Sequence, residues 1–134
     1  MLLVKTRIGP SVIEGTGLFA AEDIPAGTRT WEFLAGYDVL FTKAQIEALP
    51  ATPRDELQRY VYLNERSGNY VYCLDNARFM NHSTEPNTRS VYPPDGSEGY
   101  DVAIRNIKEG EELTCDYCEF DAGIAEKLGA PAKT

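Results

Sequence analysis

The stretch Arg78-Phe79-Met80-Asn81-His82-Ser83-Thr84-Glu85-Pro86-Asn87, with Gly110-Glu111-Glu112-Leu113-Thr114-Cys115-Asp116-Tyr117 downstream, decides how this chain is read. The first segment carries the only histidine, beside an asparagine, and closes on a Glu-Pro-Asn turn. The second leaves an acidic turn for a short extended run. There Leu113, Cys115 and Tyr117 would share one face and Thr114 and Asp116 the other, with one face buried. Taken singly, each segment has an ordinary reading. An Asn-His pair usually satisfies local backbone groups, and a tyrosine on a strand usually packs in a core with its hydroxyl on a polar partner. The two segments are informative as a pair.

Three other chemistries fit poorly. Ser83 follows His82 directly, which does not give triad geometry, and no Gly-x-Ser-x-Gly elbow occurs. Glu14-Gly15-Thr16-Gly17-Leu18-Phe19 places two glycines where a backbone can approach a ligand closely. No βαβ pattern follows it, so a dinucleotide loop is not indicated. Cys115 and Cys118, with Cys73 and His82, invite a zinc or redox reading. In an extended run, however, the first two point to opposite faces, and no helix follows as in a redox Cys-x-x-Cys. A metal-free site is expected.

Outward from these segments, the chain reads as short strands separated by single turns. Alternation and β-branched or aromatic content predict strands over 2–6, 17–21, 29–33, 70–74, 88–92, 100–105 and 113–117. Asp23 to Thr28, Pro93 to Gly96 and Lys108 to Glu111 are the turns between them. Thr42-Lys43-Ala44-Gln45 has capping-box spacing and predicts a helix to about Leu49. Thr52 and Pro53 predict the start of a second helix running to about Tyr62, with Leu57, Tyr60 and Val61 on its apolar face. Asp121 is placed to cap a last helix over 122–128 that Gly129 stops. The fold class expected is mainly β.

The 134 residues suit one domain, and 43% hydrophobic with 25% charged residues is ordinary for a soluble globular protein. No apolar run is long enough for a membrane span, and the start lacks the features of a signal peptide. Three cysteines, an odd number, argue against a disulfide framework, so an intracellular, cytoplasmic setting is expected, or a nuclear one in a eukaryote. A net charge of −8 disfavours direct nucleic-acid binding and suits a basic protein or peptide partner, although solubility alone also accounts for it.

The motif pair resembles the signatures of the SET-domain protein-lysine methyltransferases. Arg78 to Ser83 matches the family's Arg-Phe-Ile-Asn-His-Ser with Met80 in place of isoleucine, Gly15 to Thr28 is similar to its first motif, and Tyr117 falls at its catalytic tyrosine. The resemblance spans about residues 4 to 120. It implies several small curled β-sheets with short helices and a C-terminal pseudoknot, a SET domain over 1–120, and a tail over 121–134 closing the active site. It further implies S-adenosylmethionine as methyl donor, held by Gly15, Thr16, Gly17, Tyr60, Arg78, Asn81, His82 and Phe120. The acceptor is a lysine of a basic protein, entering a channel lined by Phe33, Tyr62 and Cys115, with Tyr117 as the catalytic residue.

Two departures bear on that channel. Glu32-Phe33-Leu34-Ala35-Gly36 stands where many members have Glu-Tyr-x-Gly, so a hydroxyl is missing that Tyr37 or Tyr62 would have to replace. Cys115 stands where the family often has Phe or Tyr, and the smaller side chain leaves room for di- or trimethyl-lysine. These departures keep open a non-catalytic module that binds cofactor or a partner protein. Acidic residues around Tyr117, from Glu109 to Asp121, are either a solvated turn or a ring attracting basic substrates.

Overall fold

The computed structural model describes residues 1–64 and 66–116. Their strands form four small sheets, as the mainly β reading expects. Strands β1 (Thr6–Pro10) and β2 (Thr16–Ala20) make an antiparallel hairpin. Strands β3 (Arg29–Glu32), β9 (Tyr100–Ala103) and β8 (Thr88–Val91) form a second sheet in that order. Strands β4 (Val39–Phe41), β6 (Tyr70–Tyr72) and β5 (Tyr62–Leu63) form a third. The fourth is a parallel pair, β7 (Asn81–His82) with β10 (Thr114–Cys115).

One apolar cluster joins three of these sheets, the β4–β6–β5 sheet contributing none of its residues. Leu18 and Ala20 from β2, Ala103 from β9, Leu113 and Cys115 from the last segment, and Met80 just before β7 are all buried together with Ile24 and Ile107. Ile24 and Ile107 also exchange backbone hydrogen bonds at 2.7 and 2.8 Å, so the turns after β2 and after β9 are tied to each other. Burial of this cluster is the main force holding those three sheets together.

Helix α1 (Lys43–Glu47) has the anticipated capping box: Thr42 Oγ1 accepts from the Gln45 amide at 3.1 Å, and Gln45 Oε1 accepts from the Thr42 amide at 2.8 Å. Helix α2 (Ala51–Gln58) differs from its prediction at both ends. Pro50, not Thr52, occupies the N-cap, and Pro53 falls inside the first turn, where a missing N–H costs nothing. The helix stops at Gln58 because Tyr62 and Leu63 are taken as strand by Val71 and Tyr70 of β6. At the N-terminus, Leu2 makes only a single bridge to Trp31, and the strand begins at Thr6.

The run from Leu113 is buried on both faces, not one. Leu113 and Cys115 enter the core, while Thr114 accepts the Asn87 amide on Oγ1 at 3.2 Å and the Thr88 hydroxyl on its carbonyl at 2.7 Å. The strand lies between two layers, so alternation cannot produce a solvent face. The helix expected over 122–128 lies outside the described residues.

Candidate functional site

Residues Met80 and Asn81 stand between two neighbouring sites. Asp75 caps the 3-10 turn Asn76–Phe79 by accepting from the Ala77 amide at 3.0 Å, and Met80 leaves this turn in extended conformation to enter β7. Successive side chains of an extended segment point to opposite sides. Met80 lines a cavity, and Asn81 reaches the glycine loop between β1 and β2.

The loop side is a polar network. Asn81 Nδ2 lies 3.0 Å from the Glu14 carbonyl, 3.1 Å from Ser11 Oγ and 2.9 Å from Glu112 Oε2. Ser11 Oγ in turn donates to the Glu112 carboxylate, with oxygens at 2.8 and 2.9 Å. Gly15 adopts a φ of 47°, in the left-handed region that favours glycine. At Gly17 a Cβ would meet Glu112 Oε2 at 2.6 Å and Ser11 Cβ at 3.0 Å, so the glycine admits the carboxylate. The loop is thus latched to β7 through a glutamate two residues before β10. His82, next in β7, sets Nδ1 3.6 Å from Asp116 Oδ1.

On the other side lies a cavity of about 70 Å³, lined by Met80, Cys115, Tyr62, Cys73, Trp31 and Asp101 and by further tyrosines and charged side chains. Burial pushes the Tyr62 phenol well above its ordinary value, with Cys73 and then Asp101 adding to the effect. Burial likewise pushes the Cys73 thiol up, helped by Asp38. Both groups are neutral at neutral pH.

Of the residues singled out in the sequence, Gly15, Thr16, Gly17 and Asn81 come together at the loop, with His82 adjoining in β7. Tyr62 and Cys115 share the cavity. Tyr60 and Arg78, assigned to the cofactor, line this cavity too. Arg78 Nη1 donates to the Leu74 and Asp75 carbonyls at 3.1 and 2.9 Å, and its guanidinium covers the Phe79 ring at 4.6 Å, so it closes the turn before Met80. Phe33, assigned to the channel, lines a second hollow with Arg29, Pro93 and Gly99, which shares Glu98 and Tyr100 with the cavity, and its amide is bonded to the Gly99 carbonyl at 3.4 Å. Tyr117, Phe120 and Cys118 lie outside the described residues. Among the described acidic residues, Glu111 pairs with Arg105 at 2.8 Å, and Glu112 turns inward to Asn81. Sequence reading missed Ser11, Glu112, Trp31 and Asp101. Only the Pro10-Ser11 turn and the position of Glu112 within its motif hinted at two of them.

The SET domain family model matches residues 15–118, and the chain belongs to the SET domain family. Histone-lysine N-methyltransferase trithorax of Drosophila virilis is 36% identical over 121 residues, covering 80% of this chain. The H3 lysine-4 specific histone-lysine N-methyltransferase of Chaetomium globosum is 33% identical over 138 residues, covering 91% of this chain. The chain spans only 3% and 12% of the length of these two relatives. Among solved structures, Polycomb Repressive Complex 2 of Chaetomium thermophilum, in an autoinhibited conformation bound to S-adenosylmethionine, superposes with a TM-score of 0.66 at 27% identity. That match covers 94% of this chain and 16% of the other. Among the described residues, no group of three or more His, Cys, Asp or Glu side chains is arranged to hold a metal ion, and no helix is long and apolar enough to cross a membrane.

Proposed function

We propose that this chain transfers a methyl group from S-adenosylmethionine to a lysine side chain of a basic protein. The observation that carries the reading is the parallel pairing of β7 with β10, which sets the glycine-loop network and the aromatic cavity on opposite sides of one strand pair. A donor and an acceptor on either side of so thin a partition meet where it ends.

The loop fits the amino-acid end of the donor. Asn81 spends its amide nitrogen on Ser11, Glu14 and Glu112, which leaves its amide oxygen able to accept from an ammonium group. The φ of Gly15 lets the loop turn here without strain, with the Glu14 carbonyl accepting from Asn81 and the Gly15 carbonyl from the Ser11 amide. When bound, S-adenosylmethionine supplies an electrophilic methyl group.

The cavity prepares the acceptor. Methyl transfer requires a neutral amine in a dry, in-line approach, so positioning is the main catalytic demand. Met80 and Cys115 give the cavity an apolar wall that excludes water and lowers the pKa of an entering amine. The Tyr62 phenol, kept neutral by burial, orients that amine through its oxygen. Tyr117 is assigned the ordering of the transfer site on the strength of the family motif alone. The relatives are named for histone lysines; a basic protein inside the cell is the substrate class proposed for this chain.

Calorimetry with S-adenosylmethionine, followed by transfer of labelled methyl to a mixture of basic proteins and mass spectrometry of the products, tests the reading. Cofactor binding with lysine methylation is expected, and Tyr117→Phe should abolish most turnover while keeping cofactor affinity. Binding without transfer would instead establish the non-catalytic module that Phe33, with no hydroxyl, otherwise favours.

A further inference from the structure

We propose that Asn87 is a positioning residue for methyl transfer: its carboxamide stands in for a neighbouring strand beside residues 112–115 and fixes the register in which Glu112 meets the glycine loop. Its part in transfer rests on the function proposed above; its part in the register does not.

Two segments of the chain fold alike. Asp23, Ile24 and Gly27 in the turn after β2 correspond to Asn106, Ile107 and Gly110 in the turn after β9. Asp23 Oδ1 accepts from the Glu109 amide and Asn106 Oδ1 from the Ala26 amide, both at 2.9 Å. The Gly27 amide donates to the Ala103 carbonyl and the Gly110 amide to the Ala20 carbonyl, both at 2.8 Å. By the same correspondence, residues 112–115 match β3. Strand β3 has backbone on both edges: β9 on one and residues 1–3 on the other, where the Leu3 amide donates to the Thr30 carbonyl at 2.9 Å and the Glu32 amide to the Met1 carbonyl at 3.0 Å. Residues 112–115 meet backbone on one edge, where the Leu113 amide donates to the Leu18 carbonyl at 2.7 Å and the Cys115 carbonyl accepts from the Ser83 amide at 3.0 Å.

On the other edge, side chains take the place of a strand. Asn87 Nδ2 donates to the Glu112 carbonyl at 2.8 Å, Asn87 Oδ1 accepts from the Thr114 amide at 2.9 Å, and the Thr88 hydroxyl donates to the Thr114 carbonyl. One carboxamide thus presents a donor and an acceptor side by side, as the peptide groups of a paired strand do. Asn87 is itself held by its backbone: its amide donates to Thr114 Oγ1 at 3.2 Å, and its carbonyl accepts from the Ile104 amide at 3.0 Å. It is buried, so losing the carboxamide leaves the Glu112 carbonyl and the Thr114 amide unpaired away from water. The β7–β10 ladder has two residues on each strand, too few to set its register alone. Side chains alternate along a strand, so a slip of one residue would turn Glu112 away from Asn81 and Ser11 and bring Leu113 out of the core. Asn87 therefore acts on the cofactor loop through Glu112, and on transfer through the run that continues to Tyr117.

Hydrogen exchange of single amides, followed by NMR in the full chain, tests the register. The Thr114 amide should exchange as slowly as that of Ile107, and Asn87→Ala should speed it at least about tenfold relative to Ile107. Calorimetry with S-adenosylmethionine tests the positioning. Asn87→Asp keeps the acceptor for Thr114 and loses the donor for Glu112. It should weaken cofactor affinity about tenfold, whereas Ile107→Val, a core truncation outside the latch, should leave it within about threefold. In a Glu112→Ala background Asn87→Asp should weaken affinity by less than about threefold, since the route through the glutamate is gone. In a methyl-transfer assay Asn87→Asp should lower kcat at least about tenfold and leave KM for a lysine peptide within about threefold. A freely exchanging Thr114 amide in the wild-type chain, a measurement that needs no variant to fold, would overturn the proposal. So would an Asn87→Asp chain that binds and turns over like Ile107→Val, or one whose loss of affinity is undiminished without Glu112. A wild-type chain that binds no S-adenosylmethionine would reject the enzymatic reading, and Thr114 exchange in the wild-type and Asn87→Ala chains would then decide the register.

Discussion

Asn81 and Glu112 are bonded to each other at 2.9 Å across the start of the β7–β10 pair, and between them they hold the loop that begins at Ser11. The glutamate acts on cofactor binding through its neighbours, without having to touch the cofactor. Glu112→Ala removes charge-assisted hydrogen bonds worth about 1.5–3 kcal/mol each. Cofactor affinity measured by calorimetry should therefore fall at least about tenfold, and Glu112→Gln should recover part of the loss.

Gly17→Ala tests the same latch from the loop side. The added methyl would sit 2.6 Å from Glu112 Oε2, and that oxygen is pinned by Ser11 and Asn81. Overpacking of this kind costs about 1–3 kcal/mol, to be read as a lowered urea midpoint together with weaker cofactor binding. Gly27→Ala is the control. Unlike Gly17 it has a positive φ, 86°, and no atom lies within 4 Å of its added Cβ, so it should lower stability through the backbone alone and leave cofactor affinity unchanged.

Cys115 sets the free space beside Met80 in the cavity. Di- or trimethyl-lysine is expected from the wild-type chain. Cys115→Tyr should shift the product toward monomethyl-lysine in intact-mass spectra, at a stability cost of about 1–3 kcal/mol. Wild-type product that stops at one methyl group at saturation would remove the idea.

Alkaline pH should destabilise the fold through Cys73. Burial raises its pKa in the folded chain above its ordinary value of 9.0, so the unfolded chain loses this proton first. The stabilisation is complete below about pH 8.5 and is lost as pH climbs from there toward the folded value. Cys73→Ala should flatten the fall of the urea midpoint between pH 8 and 10. At neutral pH the thiol should resist iodoacetamide until the chain unfolds.

The strand-rich class and the capping box at Thr42 were legible because each depends on neighbours in the chain. Side-chain destinations set by register were not. Nothing near Phe33 signals that its amide would bond to Gly99 and carry the ring to another hollow. Asp101 reads as one more polar residue of an alternating strand until β3 and β8 are laid beside it. That the Arg78 guanidinium closes the turn delivering Met80 and Asn81 becomes visible only in the folded chain.

The β7–β10 pair has a consequence for how the molecule assembles. It joins strands of two residues each, and Cys115 lies 34 positions from Asn81. So short a ladder cannot nucleate across such a loop; it must wait until the β8–β9 hairpin between them has formed. The wall between the two sites is then among the last parts to close on folding and among the first to open under stress. Ligands that occupy either side should slow unfolding far more than they speed folding.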